Sequence, residues 1–519
     1  MITAIVLHDL PPSIGFEECR AYFTKIAPGF FKIPGFLRKQ FICARGGKVA
    51  GGVHIWESHE AAERFYSGEW LAGIRARYGT EPKITHFETV ALTDKADRRA
   101  ASIDREDTMS TTLPKLLLGL ALICPMTSAS ANVIADWDAT AVAIVASALP
   151  GPPAQREMAL VHAAMFDAVN ATERRYRPYL IELTAAPTTS QEAAAAMAAA
   201  TVLTALHPEA ASDIKAKLAS HLATIPDGEA KAEGVKLGEA VATKVLQARA
   251  TDGASAPDAY RPKTKPGVYI PTAIMLASAW PNMTPFALTK PSQFRPGPPP
   301  ALDSKEWAAD YNEIKTYGGK TSAARSPQQT ETARFWLAVG PPPYHQIPRQ
   351  LILRQKMSVV DSARLMALYA VALTDSYIAV FDAKYHYELW RPITAIRNGE
   401  VEANSATKRD ATWQPIDNTP MHPEYPCAHC INAGAAAAVI EAVLGTKIIP
   451  EVSMTSATAP GVTHRWTGLD AFCDEVSNAR IWAGFHYRFS TVVGTDMGRR
   501  VGEYVVQTVM QPATVSGGR

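Results

Sequence analysis

KYHYELWRP at residues 384–392, read with HPEYPCAH at 422–429 and ARIWAGFHYRFS at 479–490, decides how the rest of this chain is understood. Together they supply three cationic side chains, Lys384, Arg391 and Arg480, and two histidines, His429 and His486. That is the inventory needed to hold a tetrahedral oxyanion, neutralise it, attack it and move its proton. A lone Lys-x6-Arg pair is ordinarily a solvated helix face and a lone histidine a structural residue, so the argument rests on order and spacing. Lys384 and Arg391 lie two helical turns apart, which predicts projection from one helix face toward a common point, and His486 and Ser490 lie one turn apart. PEYPCAHCINAGAAAAVIEAVLG, from Pro423, is a proline-bounded loop running into an alanine-rich helix. It sets the backbone N–H groups around Cys427, Ala428 and His429 at a helix N-terminus, a natural anion site.

These segments resemble the shared signature of the vanadium-dependent haloperoxidases and the type 2 phosphatidic acid phosphatase superfamily: K-x6-R-P, then P-S-G-H, then S-R-x5-H-x3-D. The first is intact from Lys384 to Pro392, the second reads Pro426-Cys427-Ala428-His429, and the third reads Ala479-Arg480 followed by His486 and Ser490. MALVHAAMFDAVNA, QFRPGPPPALDSKEW and ALTDSYIAVFDAKYHYELWRPITAIR also look like bacterial secreted members of the haloperoxidase branch, and the likeness spans roughly residues 133–510. The resemblance implies a helical bundle in which His486 ligates vanadium or attacks phosphorus, and His429 is the general acid and base. Lys384, Arg391, Arg480 and the backbone at Cys427 and Ala428 would hold the oxyanion. With vanadate the implied partners are hydrogen peroxide, a halide and a small organic acceptor. The same cage holding a phosphate ester would be an acid phosphatase acting through a phosphohistidine, and one that had lost its chemistry would be a non-catalytic oxyanion binder.

Three positions depart from the family pattern. Cys427 replaces a serine, and a thiol among cations should have a lowered pKa and oxidise readily. Ala428 replaces a glycine and restricts the backbone. Ser490 replaces the aspartate that orients the imidazole at His486, so that ring is expected to lack a charged partner. His422, seven before His429, stands where the family places an aromatic in chloroperoxidases and a histidine in bromoperoxidases, which favours bromide. Phe381, three before Lys384, is a further candidate wall residue and equally a core aromatic.

Other motifs fail. Cys427-Ala428-His429-Cys430 has neither the histidine position of a c-type haem nor a second ligand pair for zinc. Ala436 stands where cysteine-phosphatase chemistry needs arginine, and Ile314 where a P-loop ending in Gly318-Gly319-Lys320-Thr321 needs glycine. A net charge of +2 over 519 residues makes no case for nucleic acid. The region after Ala131 keeps only Cys427, Cys430 and Cys473, an odd count that argues against a disulfide scaffold.

The chain divides into four. Residues 1–92 follow a β-α-β-β-α-β order, the ferredoxin-like arrangement, and resemble small monooxygenase-like dimeric α/β-barrel proteins. His8, His54 and His86 fall on predicted strands there, and a homo-oligomer would form through this domain. Residues 93–108 are polar and aperiodic, a linker. Residues 109–131, MSTTLPKLLLGLALICPMTSASA, have the basic start, short apolar run and small-residue end of a secretory signal, too short to span a bilayer comfortably. This points to an exported C-terminal domain, periplasmic or extracellular. It leaves the N-terminal domain cytoplasmic, fused or joined by a mis-assigned start. Residues 132–519 carry helical apolar spacing with few strand-like alternations, and an aperiodic proline-rich stretch at 256–303 that would wrap the bundle.

Overall fold

The computed structural model describes residues 2–102, apart from 12–13, 15, 27–29, 31–32, 44–48, 68, 79–80, 89–90 and 95–98, and residues 132–513, apart from 150, 258 and 272. The chain separates into two compact units, Met1–Cys124 and Pro125–Arg519. The signal-like segment at 109–131 lies outside the described residues.

The first unit contains β1 (Ile2–Asp9), α1 (Phe16–Ile26), β2 (Phe36–Cys43), β3 (Val49–Trp56), α2 (His59–Phe65), α3 (Glu69–Tyr78) and β4 (Lys83–Glu88), so the second expected helix is two pieces. The sheet order is β2-β3-β1-β4, every pair antiparallel. Period-two alternation turns Ala4, Val6 and His8 of β1 to the buried face. Ala4 lies between His54 and His86 in register, so all three histidines do fall on strands. Part of the expected linker is ordered instead: β5 (Ala91–Asp94) pairs antiparallel with β6 (Arg99–Ser102).

The second unit is helical. In order it runs α4 (Val133–Ala148), α5 (Pro152–Glu173), α6 (Gln191–Leu206), α7 (Ala211–Leu222), α8 (Glu229–Ala248), α9 (Lys305–Tyr317), α10 (Pro327–Phe335), α11 (Pro341–Tyr344), α12 (Gln346–Arg354), α13 (Val359–Tyr387), α14 (Pro392–Arg397), α15 (Ala428–Leu444), α16 (Leu469–Trp482) and α17 (Arg488–Thr508). The hairpin of β7 (Ile448–Ser456) and β8 (Ala459–Gly468) is strand structure that the helical periodicity did not foretell. α13 starts at its N-cap Ser358, whose side chain accepts the Asp361 N–H. Its apolar stretch is long enough to cross a membrane but is wholly buried within the unit, so it serves as the central core helix against α5, α15 and α17.

Small residues let the surrounding helices close on one another. In α6 the alanine tract meets Gly234 and Gly238 of α8, where a Cβ on Gly238 would stand 2.3 Å from the Ala194 carbonyl oxygen. A Cβ on Gly498 of α17 would stand 2.0 Å from the Ile431 carbonyl oxygen of α15, and one on Gly494 would stand 2.7 Å from that of Cys427. This near-backbone packing fixes the Cys427 loop over the start of α17. The proline-rich stretch wraps as expected, and buried carboxylates on α13 fasten it. Asp375 accepts the N–H groups of Phe286, Ala287 and Leu288 at 2.6, 2.7 and 2.8 Å. Asp382 takes Arg295 through both oxygens at 2.7 Å.

Candidate functional site

Lys384 and Arg391 reach a common site, but not from one helix face. α13 ends at Tyr387, Glu388 turns into the left-handed region at φ 52°, and Arg391 is the N-cap of α14. The turn is held by the Glu388 carbonyl, which accepts from Tyr269, and by Trp390, which donates to Gly267. Lys384, fully buried, donates to the carbonyls of Pro423 and Glu424 at 3.0 and 2.7 Å. Arg391, 1% exposed, donates through Nε to the His422 carbonyl at 2.9 Å and through Nη1 to the Phe485 carbonyl at 3.0 Å. The two cations thereby pin the 422–424 loop and the 485–486 loop to each other.

His486 does not share a helical turn with Ser490. It precedes Tyr487, the N-cap of α17, in a loop that leaves α16 through Gly484 at φ 81°. Nor does its ring lack a charged partner. Glu424 Oε1 lies 2.8 Å from His486 Nδ1 and also accepts the Tyr487 N–H at 3.1 Å. Arg391 Nη1 stands 3.2 Å from Nε2. A guanidinium only donates, so Nε2 is the bare nitrogen and the ring proton sits on Nδ1 toward Glu424. This tautomer puts the ring's one in-plane lone pair on Nε2, the atom that would ligate or attack, where Arg391 now donates to it. Ser490 stands fully buried in the first turn of α17, its hydroxyl beside the Glu424 carboxyl, whose ionised form it favours. Glu424 was missed in the sequence because a loop glutamate reads as a surface residue. Its signal was there: one carboxylate missing from the third motif and another present inside the second.

The second motif keeps its helix N-terminus and changes its donors. The Cys427 N–H goes to the Ser490 carbonyl at 3.2 Å, so it is not the anion donor expected of it. Its sulfur instead accepts the Cys430 N–H at 3.3 Å and caps α15. The Cys427 thiol is lowered to about 7, with burial opposed by contact with Cys430 and by the positive charge of Arg480 and Lys384. Ala428 opens the helix. His429, half-buried on the first turn, donates from Nε2 to the Ala338 carbonyl at 3.0 Å, which leaves Nδ1 as the basic nitrogen. Burial and then Arg480 hold its pKa well below that of a free imidazole. Arg480 of α16 gives one Nη1 bond to the Trp336 carbonyl and keeps a buried Nε with no partner.

His422 and Phe381 share a wall, ring centroids 5.2 Å apart and edge to face. Phe381 is both things foreseen for it, a core aromatic of α13 at 1% exposure and a neighbour of the site. The His422 Nδ1 lies 2.9 Å from Arg391 Nη2. Burial, then Lys384 and Arg391, depress its pKa strongly, and burial followed by Arg391 and Lys384 does the same at His486.

Charge decides what this arrangement can hold. Lys384, Arg391 and Arg480 are all at most 2% exposed, and among the described residues the one carboxylate in contact with this group is that of Glu424. Burial pushes Glu424 up to about 8, while Lys384, Arg391 and the Ser490 hydroxyl pull the other way, and any proton it carries sits on Oε2, the oxygen turned away from His486. Buried cations in such excess are costly unless an anion joins them. A tetrahedral oxyanion fits the donor set, with the Arg480 Nε and the first N–H groups of α15 as its remaining donors. A second polar cluster, Asp138, His162 and His345, is no match for a cation. Its contacts are 2.8 and 2.7 Å, hydrogen-bond lengths, and Arg349 lies 2.6 Å from the other Asp138 oxygen.

With this geometry in view, solved structures supply the fold comparison. A bacterial vanadium-dependent iodoperoxidase superposes with a TM-score of 0.62 at 24% identity, covering 73% of this chain and 97% of its own. The second unit has the vanadium-dependent haloperoxidase fold. A bacterial vanadium-dependent chloroperoxidase in its apo form gives 0.57 at 15% identity, over 69% of this chain and 94% of its own. Residues 364–514, the part of the haloperoxidase-like unit that carries the cage, match the family model of the VCPO second helical-bundle domain. The vanadium chloroperoxidase of Curvularia inaequalis is 29% identical over 180 residues, 28% of this chain. The matched stretch spans 29% of that enzyme's length.

Proposed function

We propose that the second unit is a vanadate-dependent haloperoxidase that oxidises a halide, bromide by preference, with hydrogen peroxide and delivers the halogen to a small organic acceptor. The observation that carries this reading is the excess of three buried cations over one carboxylate around the bare Nε2 of His486. Lys384, Arg391 and Arg480 would neutralise vanadate, His486 Nε2 would ligate it, and the N-terminus of α15 would add N–H donors. Bound vanadate supplies Lewis-acid activation of peroxide without a change in metal oxidation state. His429, neutral with Nδ1 free, takes a proton from incoming peroxide and returns it to the departing oxygen. Glu424 holds the His486 tautomer, and His422 donates a hydrogen bond beside the reacting oxygens. Burial of the cage excludes bulk water and strengthens each of these contacts.

The N-terminal unit is read as a ferredoxin-like binding or dimerisation module, and export of the second unit through the 109–131 segment belongs to the same proposal. The test is bromination of a phenol-type dye by the full chain with bromide and peroxide, before and after orthovanadate. Activity gained on adding vanadate supports the reading. Cys427 in the place of serine favours a second reading, an acid phosphatase on the same cage. Phosphate-ester hydrolysis inhibited by vanadate, without bromination, would move the assignment there, and neither activity would leave an oxyanion binder.

A further inference from the structure

The first unit holds a half-open cavity of about 360 Å³ lined by its sheet and helices, inside the size range of small-molecule sites. Two histidines on its sheet wall present ring nitrogens that have no hydrogen-bond partner among the described residues. His8 is 6% exposed with both ring nitrogens unbonded, and His54 is 1% exposed with Nε2 unbonded. Buried polar atoms left in this way mark a missing hydrogen-bonding partner.

The direction of the missing bond follows from a relay behind His54. Trp56 Nε1 can only donate, and it does so to the Tyr66 hydroxyl oxygen at 3.0 Å. Tyr66 in turn lies 2.6 Å from His54 Nδ1, and its single hydrogen goes there. Burial and the nearby Lys39 keep His54 neutral, so its one proton sits on Nε2 and is offered to the cavity. Gly52 makes the space: a Cβ there would stand 2.9 Å from His54 Nε2 and 2.8 Å from Lys39 Cε.

The cavity's charge is one-sided. Lys39 of β2, His8 of β1, His54 of β3 and Arg77 of α3 line it, and among the described residues no carboxylate does. Asp9, beside His8 in sequence, is the acid that acts on His8, and Arg77 is stacked on Tyr22 with its guanidinium 3.3 Å from the ring centroid. The Lys39 ammonium rests 3.8 Å from the Phe30 ring centroid and 4.1 Å from that of Phe41, and burial lowers its pKa to about 7. The rest of the wall is apolar and aromatic, with Phe65 and Trp70 among its rings.

We propose that this cavity binds a small aromatic monoanion, a carboxylate or phenolate whose oxygens meet Lys39 and the Nε2–H of His54 while its ring lies against Phe30, Phe65 and Trp70. The ligand is the counter-ion the lining lacks, and Lys39 takes up a proton as it binds. This site is independent of the cage in the second unit and does not rest on the haloperoxidase reading.

The experiment is calorimetric titration of the full chain with 1-naphthoate and with its neutral counterpart 1-naphthamide, at pH 7 and 8.5, in saturating orthovanadate so that the second unit's cations are occupied. Naphthoate should bind saturably and at least about tenfold more tightly than naphthamide, since the amide forgoes the ion pair. Its affinity should fall by up to about tenfold per pH unit above 7, as the protonated amine becomes scarce. Lys39→Met should remove both the preference and the pH dependence. Gly73→Leu fills the cavity from α3, where a Cβ meets no atom within 4 Å, and should abolish naphthoate binding with the circular dichroism unchanged. Equal affinity for both probes, undiminished binding by Lys39→Met or Gly73→Leu, or no saturable binding of naphthoate to the folded protein would each overturn the proposal.

Discussion

The cage of the second unit and the cavity of the first both bury histidines and a lysine, yet they satisfy them in opposite ways. In the cage, Lys384 and Arg391 give donors to the carbonyls of Pro423, Glu424, His422 and Phe485, so the protein pre-forms a hydrogen-bonded frame. In the cavity, His8 and the Nε2 of His54 bond to nothing and face about 360 Å³. The first pattern suits a compact, highly charged ion held by preorganised donors. The second suits a larger ligand that brings its own acceptor. The difference shows that buried cations do not by themselves define a site, and that the fate of their remaining donors does.

The comparison breaks most decisively at the cage histidines. His429→Ala should lower the bromination rate by two to four orders of magnitude, roughly the worth of a general acid–base. Vanadate affinity by equilibrium dialysis should survive that change and be lost in His486→Ala. If both variants turn over normally, the cage is not the site.

Next in size is the relocated carboxylate. Glu424→Gln should weaken vanadate binding by about 10- to 100-fold, the usual loss when a ligand histidine loses its outer partner. Adding Ser490→Asp to Glu424→Ala should recover most of it, because Ser490 is buried in the first turn of α17 beside the Glu424 carboxyl. A double variant as weak as Glu424→Ala alone would show that Glu424 does not stand in for the missing aspartate.

Frame stability is the third lever. Asp375→Ala strands three buried N–H groups, at about 1–3 kcal/mol each, and Gly498→Ala overpacks α15 against α17 at about 1–3 kcal/mol. Urea unfolding followed by helical signal should rank them in that order, and a wild-type midpoint for either would contradict the packing described.

The smallest effect concerns pH. His422 has a folded pKa far below its unfolded value near 6.5, so below that pH the unfolded chain binds a proton that the folded one refuses, and stability falls as pH drops. His422→Phe should make that acid loss shallower by about 1.4 kcal/mol per pH unit, read from unfolding at pH 6 and 5. An unchanged slope would show that His422 is protonated in the fold. The same variant should shift the halide preference from bromide toward chloride, since it removes a donor beside the reacting oxygens.

Residue order alone named Lys384, Arg391, His429, Arg480 and His486, because charge type and motif spacing survive without coordinates. It placed α13, the alanine-rich α6 and α15, and the strand positions of His8, His54 and His86, since apolar periodicity reports which face is buried. It misjudged how Lys384 and Arg391 converge, because Glu388 adopts a left-handed conformation that no composition rule demands. It also missed the β7–β8 hairpin, which lies inside a strongly helical region.

What the sequence determined by itself was the chemical inventory and the fold that presents it, since both are written in local spacing. What only the tertiary structure decided was the pairing: Glu424 on His486 from 62 residues away, the Cys427 N–H on Ser490, and the Tyr66–His54 relay aimed into a cavity. Hydrogen bonds between loops distant in sequence leave no periodic trace, and their existence depends on backbone paths that packing alone sets.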